Sequence, residues 1–383
     1  MRVLFSSTRG AGHLQPLLPY ARALKARQHE VVVAAPAEVG STLRSAGLSH
    51  ATFDHPGDDV LSPIWARLKG EWSEEAMAIA AREIFAGANA SAALPKLRET
   101  LRSFCPELIV RDSFEFAALV AAERDGISHA RVAVHSISFE DPIPALIEQP
   151  IDGLRALAGL APDHGAALRE EPVFSSFPAS LDIAPAASLM RAPFRARAVE
   201  DAPSSAPAAW ASADDARPLV YVTFGTLVAG NSQARSIYRT SLEAVAGLPV
   251  RVLLTTGRSV DSDVLGTIPA NVHVETWVPQ RDVLQHAAAL VCHGGSGTLL
   301  GGVAAGLPML IVPFGADQPH NAQLIEKAGV GLALHKPDAS TLGAALRRVL
   351  SAPEFRLHAQ GLAREVGAMP TIDDAVDTLL ALA

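Results

Sequence analysis

The segment Thr8-Arg9-Gly10-Ala11-Gly12-His13-Leu14-Gln15-Pro16 sets two glycines and a histidine where a strand-like run gives way to a helical one. Small residues in such a turn let backbone come close to a ligand, and His13 falls at the start of the helix. There the backbone dipole favours a neutral imidazole, which can accept a proton. A carboxylate on the other ring nitrogen would fix the tautomer and stabilise the charge formed during a reaction. Asp112 is the candidate, because it ends the run Leu108–Arg111 on the same predicted sheet edge as His13. The plainer alternative is that Asp112 only caps the following helix. A dinucleotide fingerprint is excluded: Gln15 stands where the third glycine belongs, and Ala34-Ala35-Pro36 supplies no acid for a ribose.

A second constellation lies far along the chain. Trp277-Val278-Pro279-Gln280 is followed by Cys292-His293-Gly294-Gly295-Ser296-Gly297-Thr298 and then by Asp317-Gln318. His293 to Thr298 follow a strand-like run and open a helix with glycine-rich backbone. That arrangement offers N–H groups, a dipole and a hydroxyl to an anion such as a pyrophosphate. Trp277 has the ring to stack a nucleobase. Each part alone fits a core tryptophan or a packing glycine cluster; the three together at this spacing favour a nucleotide site. Asp261-Ser262-Asp263 has the form of a metal-binding D-x-D, but its polar loop lies apart from the glycine-rich segments, and no metal is expected.

These residues need a scaffold of alternating strands and helices. Val3–Phe5, Val31–Val33 and Leu108–Val110 read as strands, with helices over Leu14–Leu24 and Phe114–Glu123. From Pro193 to Pro218 the composition turns to proline, serine, alanine and aspartate, the mark of a linker. The pattern then restarts with strands at Leu219–Thr223, Val250–Leu254, Val272–Val274, Leu290–Cys292 and Leu310–Val312. The fold class is therefore α/β, with two doubly wound parallel-sheet domains facing a central cleft. The expected division is 1–192, a linker over 193–218, a second domain over 219–368, and a last helix over 369–383. That helix carries Ile372, Val376, Leu379 and Leu380 on one face and is expected to pack back on the first domain.

The 383 residues suffice for two cores, since 49% are hydrophobic. A net charge of -8 argues against nucleic acid as the main partner. Cys105 and Cys292 show no metal-ligand spacing and read as separate thiols. The N-terminus reaches Ser6 before a signal region can form, and no run is long enough to span a bilayer, so the expectation is a cytoplasmic protein. Monomer and homodimer both remain open.

The Gly10-to-Pro16 segment, the WVPQ box at Trp277, HGGSGT at His293 and the closing Asp317-Gln318 resemble family 1 glycosyltransferases of the GT-B fold, of the bacterial natural-product type. The resemblance implies that His13 deprotonates an acceptor hydroxyl and Asp112 holds His13. It implies that Trp277 stacks the base, Val278 contacts its edge through backbone, and Gln280 lies near the ribose. His293, Gly294, Gly295, Ser296, Gly297 and Thr298 would cradle the diphosphate with Gly225 and Thr226, while Asp317 and Gln318 would bind sugar hydroxyls. Ser7, Arg9, Phe114 and Glu115 are nearby acceptor-side candidates, with Phe53, Trp65, Trp72, Phe139 and Ile143 as more distant ones.

The expected partners are a nucleotide-sugar co-substrate and a small hydrophobic aglycone, with no further cofactor. Many relatives carry a glutamate where this chain has Gly301, and its loss tilts the expectation from UDP- to dTDP-sugars. An envelope enzyme acting on a lipid-linked acceptor, a non-catalytic nucleotide-sugar-binding helper and a nucleotide-sugar epimerase are the rivals. The sugar, the aglycone and the choice between O- and C-glycosidic bonds are left open.

Overall fold

The computed structural model describes residues 1–68, 73–183, 188, 190–198, 210, 215–225, 232–257 and 265–383, with residues 232–235 described by backbone alone. The chain forms two compact units, Met1–Val199 with Met369–Ala383, and Glu200–Ala368. Each is built on an all-parallel sheet.

The first sheet contains β1 (Arg2–Ser6), β2 (Glu30–Ala35), β3 (Ser49–Thr52), β4 (Leu108–Asp112), β5 (Ser128–Val132), β6 (Val173–Ser175) and β7 (Phe194–Arg195). Their order is β3-β2-β1-β4-β5-β6-β7. The second contains β8 (Leu219–Thr223), β9 (Arg251–Thr255), β10 (Val272–Glu275), β11 (Ala289–Cys292), β12 (Met309–Ile311) and β13 (Gly331–Ala333), in the order β10-β9-β8-β11-β12-β13. In both, the chain winds outward one way and then returns to the centre to wind the other way. The reversal falls between β1 and β4 in one sheet and between β8 and β11 in the other. Loops at the strand C-terminal ends diverge there and leave a crevice, the usual ligand site of such sheets.

The continuous apolar runs follow from helices covering both sheet faces. Val3 and Phe5 enter one core cluster while Leu4 enters the opposite one, as the two-residue period of a strand requires. The helix Ile372–Leu380 buries Ile372, Ala375, Val376 and Leu379 in the same cluster as Leu17, Leu18, Tyr20 and Leu24 of the first unit. A capping box between Thr371 and Asp374 starts this helix. Arg27 then pins it through Asp373 at 2.9 Å and Asp377 at 2.5 Å.

Two local expectations need correction. The helix after β4 runs over Phe116–Asp125 and starts two residues later than Phe114, because Glu115 is its N-cap and accepts from the Ala117 and Ala118 amides. Phe194–Arg195, read as the start of a linker, instead pairs with β6, and the Phe194 ring packs 5.6 Å from that of Phe174. Residues 199–209 and 211–214 of the expected linker lie outside the described residues.

Leu379 is fully buried against the first unit. Leu379→Ala is expected to cost about 2–5 kcal/mol, read as a lower denaturant midpoint.

Candidate active site

His13 leaves the turn after β1, and Asp112 ends β4, so the reversal in strand order brings two residues 99 positions apart into contact. His13 Nδ1 lies 3.2 Å from Asp112 Oδ1 and donates to it in the tautomer that keeps Nε2 as an acceptor. Asp112 is fully buried, and its oxygens also accept from the Thr8 amide at 2.7 Å and the Phe114 amide at 2.7 Å. Burial opposes ionisation of Asp112, but the interaction with His13 and the hydrogen bonds from the two amides outweigh it, holding the carboxyl below its usual range. The bond to Phe114 shows that Asp112 does shape the turn after β4. Glu115, though, caps the helix, so Asp112 is not merely a helix cap.

Beneath the pair lies a buried ionic frame that sequence reasoning missed. Arg111 is fully buried and grips Glu171 at both ends, Nε to Oε1 at 3.0 Å and Nη2 to Oε2 at 2.5 Å. Its Nη1 donates to the carbonyls of Asp112, Ser113 and Glu115 at 3.0, 3.1 and 3.2 Å. One guanidinium thus fixes the loop that aims the Asp112 carboxylate. Despite burial, the Arg111 charge and the hydrogen bonds from His129 and Arg111 pull Glu171 down to about 2. On β5, Arg131 pairs with Glu140 at 3.1 Å, and Glu140 accepts from the Ser113 hydroxyl and the Val134 and His135 amides. The signal was present in the sequence as an arginine directly after the apolar run Leu108–Val110 of β4.

Aromatic rings surround the imidazole. Phe85 and Phe114 lie 5.4 and 5.9 Å from His13, and His135 lies 6.3 Å away. Of the acceptor-side candidates, Phe53, Phe114 and Glu115 line a pocket beside these rings. Glu115 is pushed up to about 7, chiefly by burial. Ser7 is fully buried with its hydroxyl turned to the Thr8 carbonyl, and Arg9 faces Glu38 at the surface. Phe139 meets the His135 ring edge to face, Ile143 belongs to the core, and Trp65 is exposed. Trp72 lies outside the described residues.

In the second unit the reversal between β8 and β11 brings together Gly225 and His293. A side chain at Gly225, whose φ is +76°, would meet the His293 ring at 2.8 Å, and one at Gly295 would meet it at 2.5 Å. Both positions must stay empty for the ring to sit here. Burial pushes His293 down to about 4, against the opposing pull of Asp317 and the Thr223 backbone. The ring is therefore neutral at physiological pH and offers an anion a hydrogen bond. His293 Nδ1 is buried without a partner.

The helix Ser296–Ala304 begins at Gly295 with no side-chain cap, so its ladder leaves first-turn amides over. Gly294 and Gly297 flank this start. Gln280 donates to the Thr298 hydroxyl at 3.0 Å, Val278 is buried, and Trp277 is 61% exposed on the short loop after β10. Ser296 donates to Asp317 at 2.6 Å. The missed, fully buried Asn321 ties the pair down by donating to Asp317 at 2.7 Å and to the Gly294 carbonyl at 2.8 Å. The Gln318 side-chain carbonyl accepts from the Phe314 and Gly315 amides. In this structure Asp317 and Gln318 are thus engaged in shaping the loop after β12. Thr226 and the Asp261-Ser262-Asp263 loop lie outside the described residues. Among the described residues no cluster of histidine, cysteine, aspartate or glutamate could hold a metal ion, and no helix is long and apolar enough to cross a membrane.

Two parallel-sheet units of this kind are the architecture of GT-B glycosyltransferases. Residues 239–382 match the erythromycin biosynthesis protein CIII-like C-terminal domain. Elloramycin glycosyltransferase ElmGT of Streptomyces olivaceus is 31% identical, with 99% of this chain and 97% of the relative covered. The 4'-demethylrebeccamycin synthase of Lentzea aerocolonigenes is 28% identical, with 99% and 98% covered. The crystal structure of the glycosyltransferase SnogD from Streptomyces nogalater superposes with a TM-score of 0.80 at 25% identity, covering 100% of this chain and 99% of that one. The chain belongs to the family 1 glycosyltransferases of GT-B fold that build bacterial natural products, enzymes that move a sugar from a nucleotide donor to an aglycone.

The neutral His293 gives a pH signature. An unfolded chain protonates this ring below its ordinary value of 6.5, the folded one only near 4. Between those values the unfolded state binds more protons, so acidification through that window removes stability. Thermal unfolding midpoints are expected to fall as the pH is lowered through it, and His293→Gln to flatten that part of the slope.

Proposed function

We propose that the protein is an inverting, metal-independent glycosyltransferase acting on a hydroxyl of a small hydrophobic aglycone, a secondary metabolite, with a dTDP-sugar preferred over a UDP-sugar as donor. The observation that carries this reading is the His13–Asp112 pair. Asp112 occupies Nδ1, and the partly exposed imidazole keeps Nε2 for an incoming hydroxyl. As the acceptor oxygen attacks the anomeric carbon, its proton passes to Nε2 and Asp112 stabilises the imidazolium. The bond from that carbon to the diphosphate oxygen breaks, and the diphosphate leaves with the electron pair. Attack opposite the leaving group inverts the anomeric centre in one step.

On the donor side, Trp277 presents an exposed indole for the base, with Val278 backbone and Gln280 at the nucleoside. Gly225, Thr226, His293, Gly294, Gly295, Ser296, Gly297 and Thr298 receive the diphosphate on an uncapped helix start and a neutral imidazole. Asp317 and Gln318 are assigned to the sugar, with Asp317 held by Ser296 and Asn321. Phe114 and the neighbouring pocket take the acceptor, and Glu115 helps to shape it. The dTDP preference is supported by Gly301, which has no carboxylate to bind a ribose hydroxyl.

His13→Ala is expected to lower transfer by about a hundredfold or more while nucleotide affinity stays near wild type. Transfer by the wild type should persist in EDTA, with product of inverted anomeric configuration by NMR. A fully active His13→Ala variant, or activity that needs added metal, overturns the mechanism. Calorimetry is expected to show dTDP binding at least as tightly as UDP; clearly tighter UDP binding overturns the donor preference.

A further inference from the structure

Asn321 reaches two loops of the second unit at once. It lies in the helix Gln318–Lys327, where its backbone amide donates to the Asp317 carbonyl at 2.9 Å, so the two side chains share one helix face. The side chain is fully buried, and its nitrogen donates to the Gly294 carbonyl at 2.8 Å and to Asp317 Oδ2 at 2.7 Å, with the Ser296 hydroxyl at 3.3 Å. An amide nitrogen carries two hydrogens, and the two short bonds use both. Asn321 Oδ1 is buried without a partner among the described residues. An orphan acceptor costs stability, so packing does not account for an asparagine here and the two donations do.

The bond to Gly294 has a consequence separate from the hold on Asp317. In a trans peptide the carbonyl and the following N–H point in opposite directions. With the Gly294 carbonyl drawn inward to the buried amide, the Gly295 N–H is turned the other way. That is the side on which half-buried Ser296 and exposed Gly297 open the helix Ser296–Ala304. The peptide joins two glycines, so no β-carbon on either side restrains its plane. Gly294 has a φ of +86°, and a side chain there would meet Ile311 at 2.7 Å, so conformation and space both demand glycine. A flip of this plane would replace an outward amide with an outward carbonyl oxygen, which repels an anion.

We propose that Asn321 is a positioning residue for the donor: by anchoring the Gly294 carbonyl it aims the Gly295 amide at a phosphate oxygen of the nucleoside diphosphate. This role rests on the diphosphate lying at the start of the helix Ser296–Ala304, as in the function proposed above. It acts on the phosphates and leaves recognition of the base untouched.

Equilibrium binding of dTDP against thymidine, and of UDP against uridine, tests it on the full chain. Each pair shares a base, so the ratio within a pair reads the phosphates alone, and the probes carry no sugar for Asp317 to hold. Wild type is expected to bind the diphosphate of the preferred pair more tightly than its nucleoside. Asn321→Ala is expected to lower diphosphate affinity about tenfold and to leave nucleoside affinity within about twofold. Asn321→Leu, closer in volume to asparagine, is expected to do the same and carries the test if the alanine variant does not fold. An unchanged ratio overturns the proposal, and so does an equal loss for nucleoside and diphosphate, the sign of a general loosening. A crystal structure of wild type with dTDP needs no variant. It is expected to place the Gly295 nitrogen within hydrogen-bond distance of a phosphate oxygen with the Gly294 carbonyl on Asn321, and a Gly295 amide turned elsewhere overturns the proposal. If wild type binds neither diphosphate more tightly than its nucleoside, the placement of the donor falls as well. If wild type shows the preference and the folded variants keep it, the role of Asn321 alone falls.

Discussion

A buried negative charge organises the first unit. Asp112 has no water to solvate it, and it remains ionised because two amides and an imidazole converge on its oxygens. Each donor comes from a loop at the strand ends, so the carboxylate fixes the geometry of the turn after β1 and of the turn after β4 together. Arg111 extends the same logic one layer down by holding three carbonyls of the second turn while Glu171 neutralises it. Buried ion pairs of this kind add little net stability against an apolar packing; what they supply is a single permitted arrangement. The orientation of His13 is a consequence of that arrangement.

The second unit uses the same topological position with different chemistry. There the crevice between β8 and β11 is kept open by the absence of side chains, and the ring it admits is neutral. Its loops are tied by uncharged bonds, Asn321 to the Gly294 carbonyl and Gln280 to the Thr298 hydroxyl, with Asp317 as a carboxylate among the described residues. The glycine-rich start of the helix therefore keeps its amides available to an anion. A fixed positive charge would bind a diphosphate and then hold it after the reaction. On the proposed reading, backbone amides and a neutral ring attract it less strongly, which suits a group that must also depart.

Much of this was legible in the sequence because it depends on short-range regularities. Continuous apolar runs such as Val3–Phe5 and Leu219–Thr223 mark buried parallel strands, and glycines beside His13 and His293 mark strand-to-helix turns. The pairing of His13 with Asp112 could be anticipated because both stand at strand C-terminal ends. The ionic frame was harder: Glu171 is 60 residues from Arg111 and has no periodicity to announce it. Short strands such as Val173–Ser175 and Phe194–Arg195 carry too few residues to show an alternation. The π-helical segment Ala80–Asn89, which carries Phe85, gives no sequence sign either, because its composition is that of an ordinary amphipathic helix. Phe85 was accordingly invisible, while Phe114 and Glu115 were found only through their proximity to Asp112.

The helix Ile372–Leu380 has a consequence for the order in which the molecule is made. It completes the core of the first unit, yet the whole of the second unit is encoded before it. During synthesis the donor-side sheet is available to fold while the acceptor-side core still lacks the surface that covers Leu17, Tyr20 and Leu24. The first unit to be translated is thus the last to be sealed. Its apolar strip is covered only once the intervening residues have been added and the late helix docks.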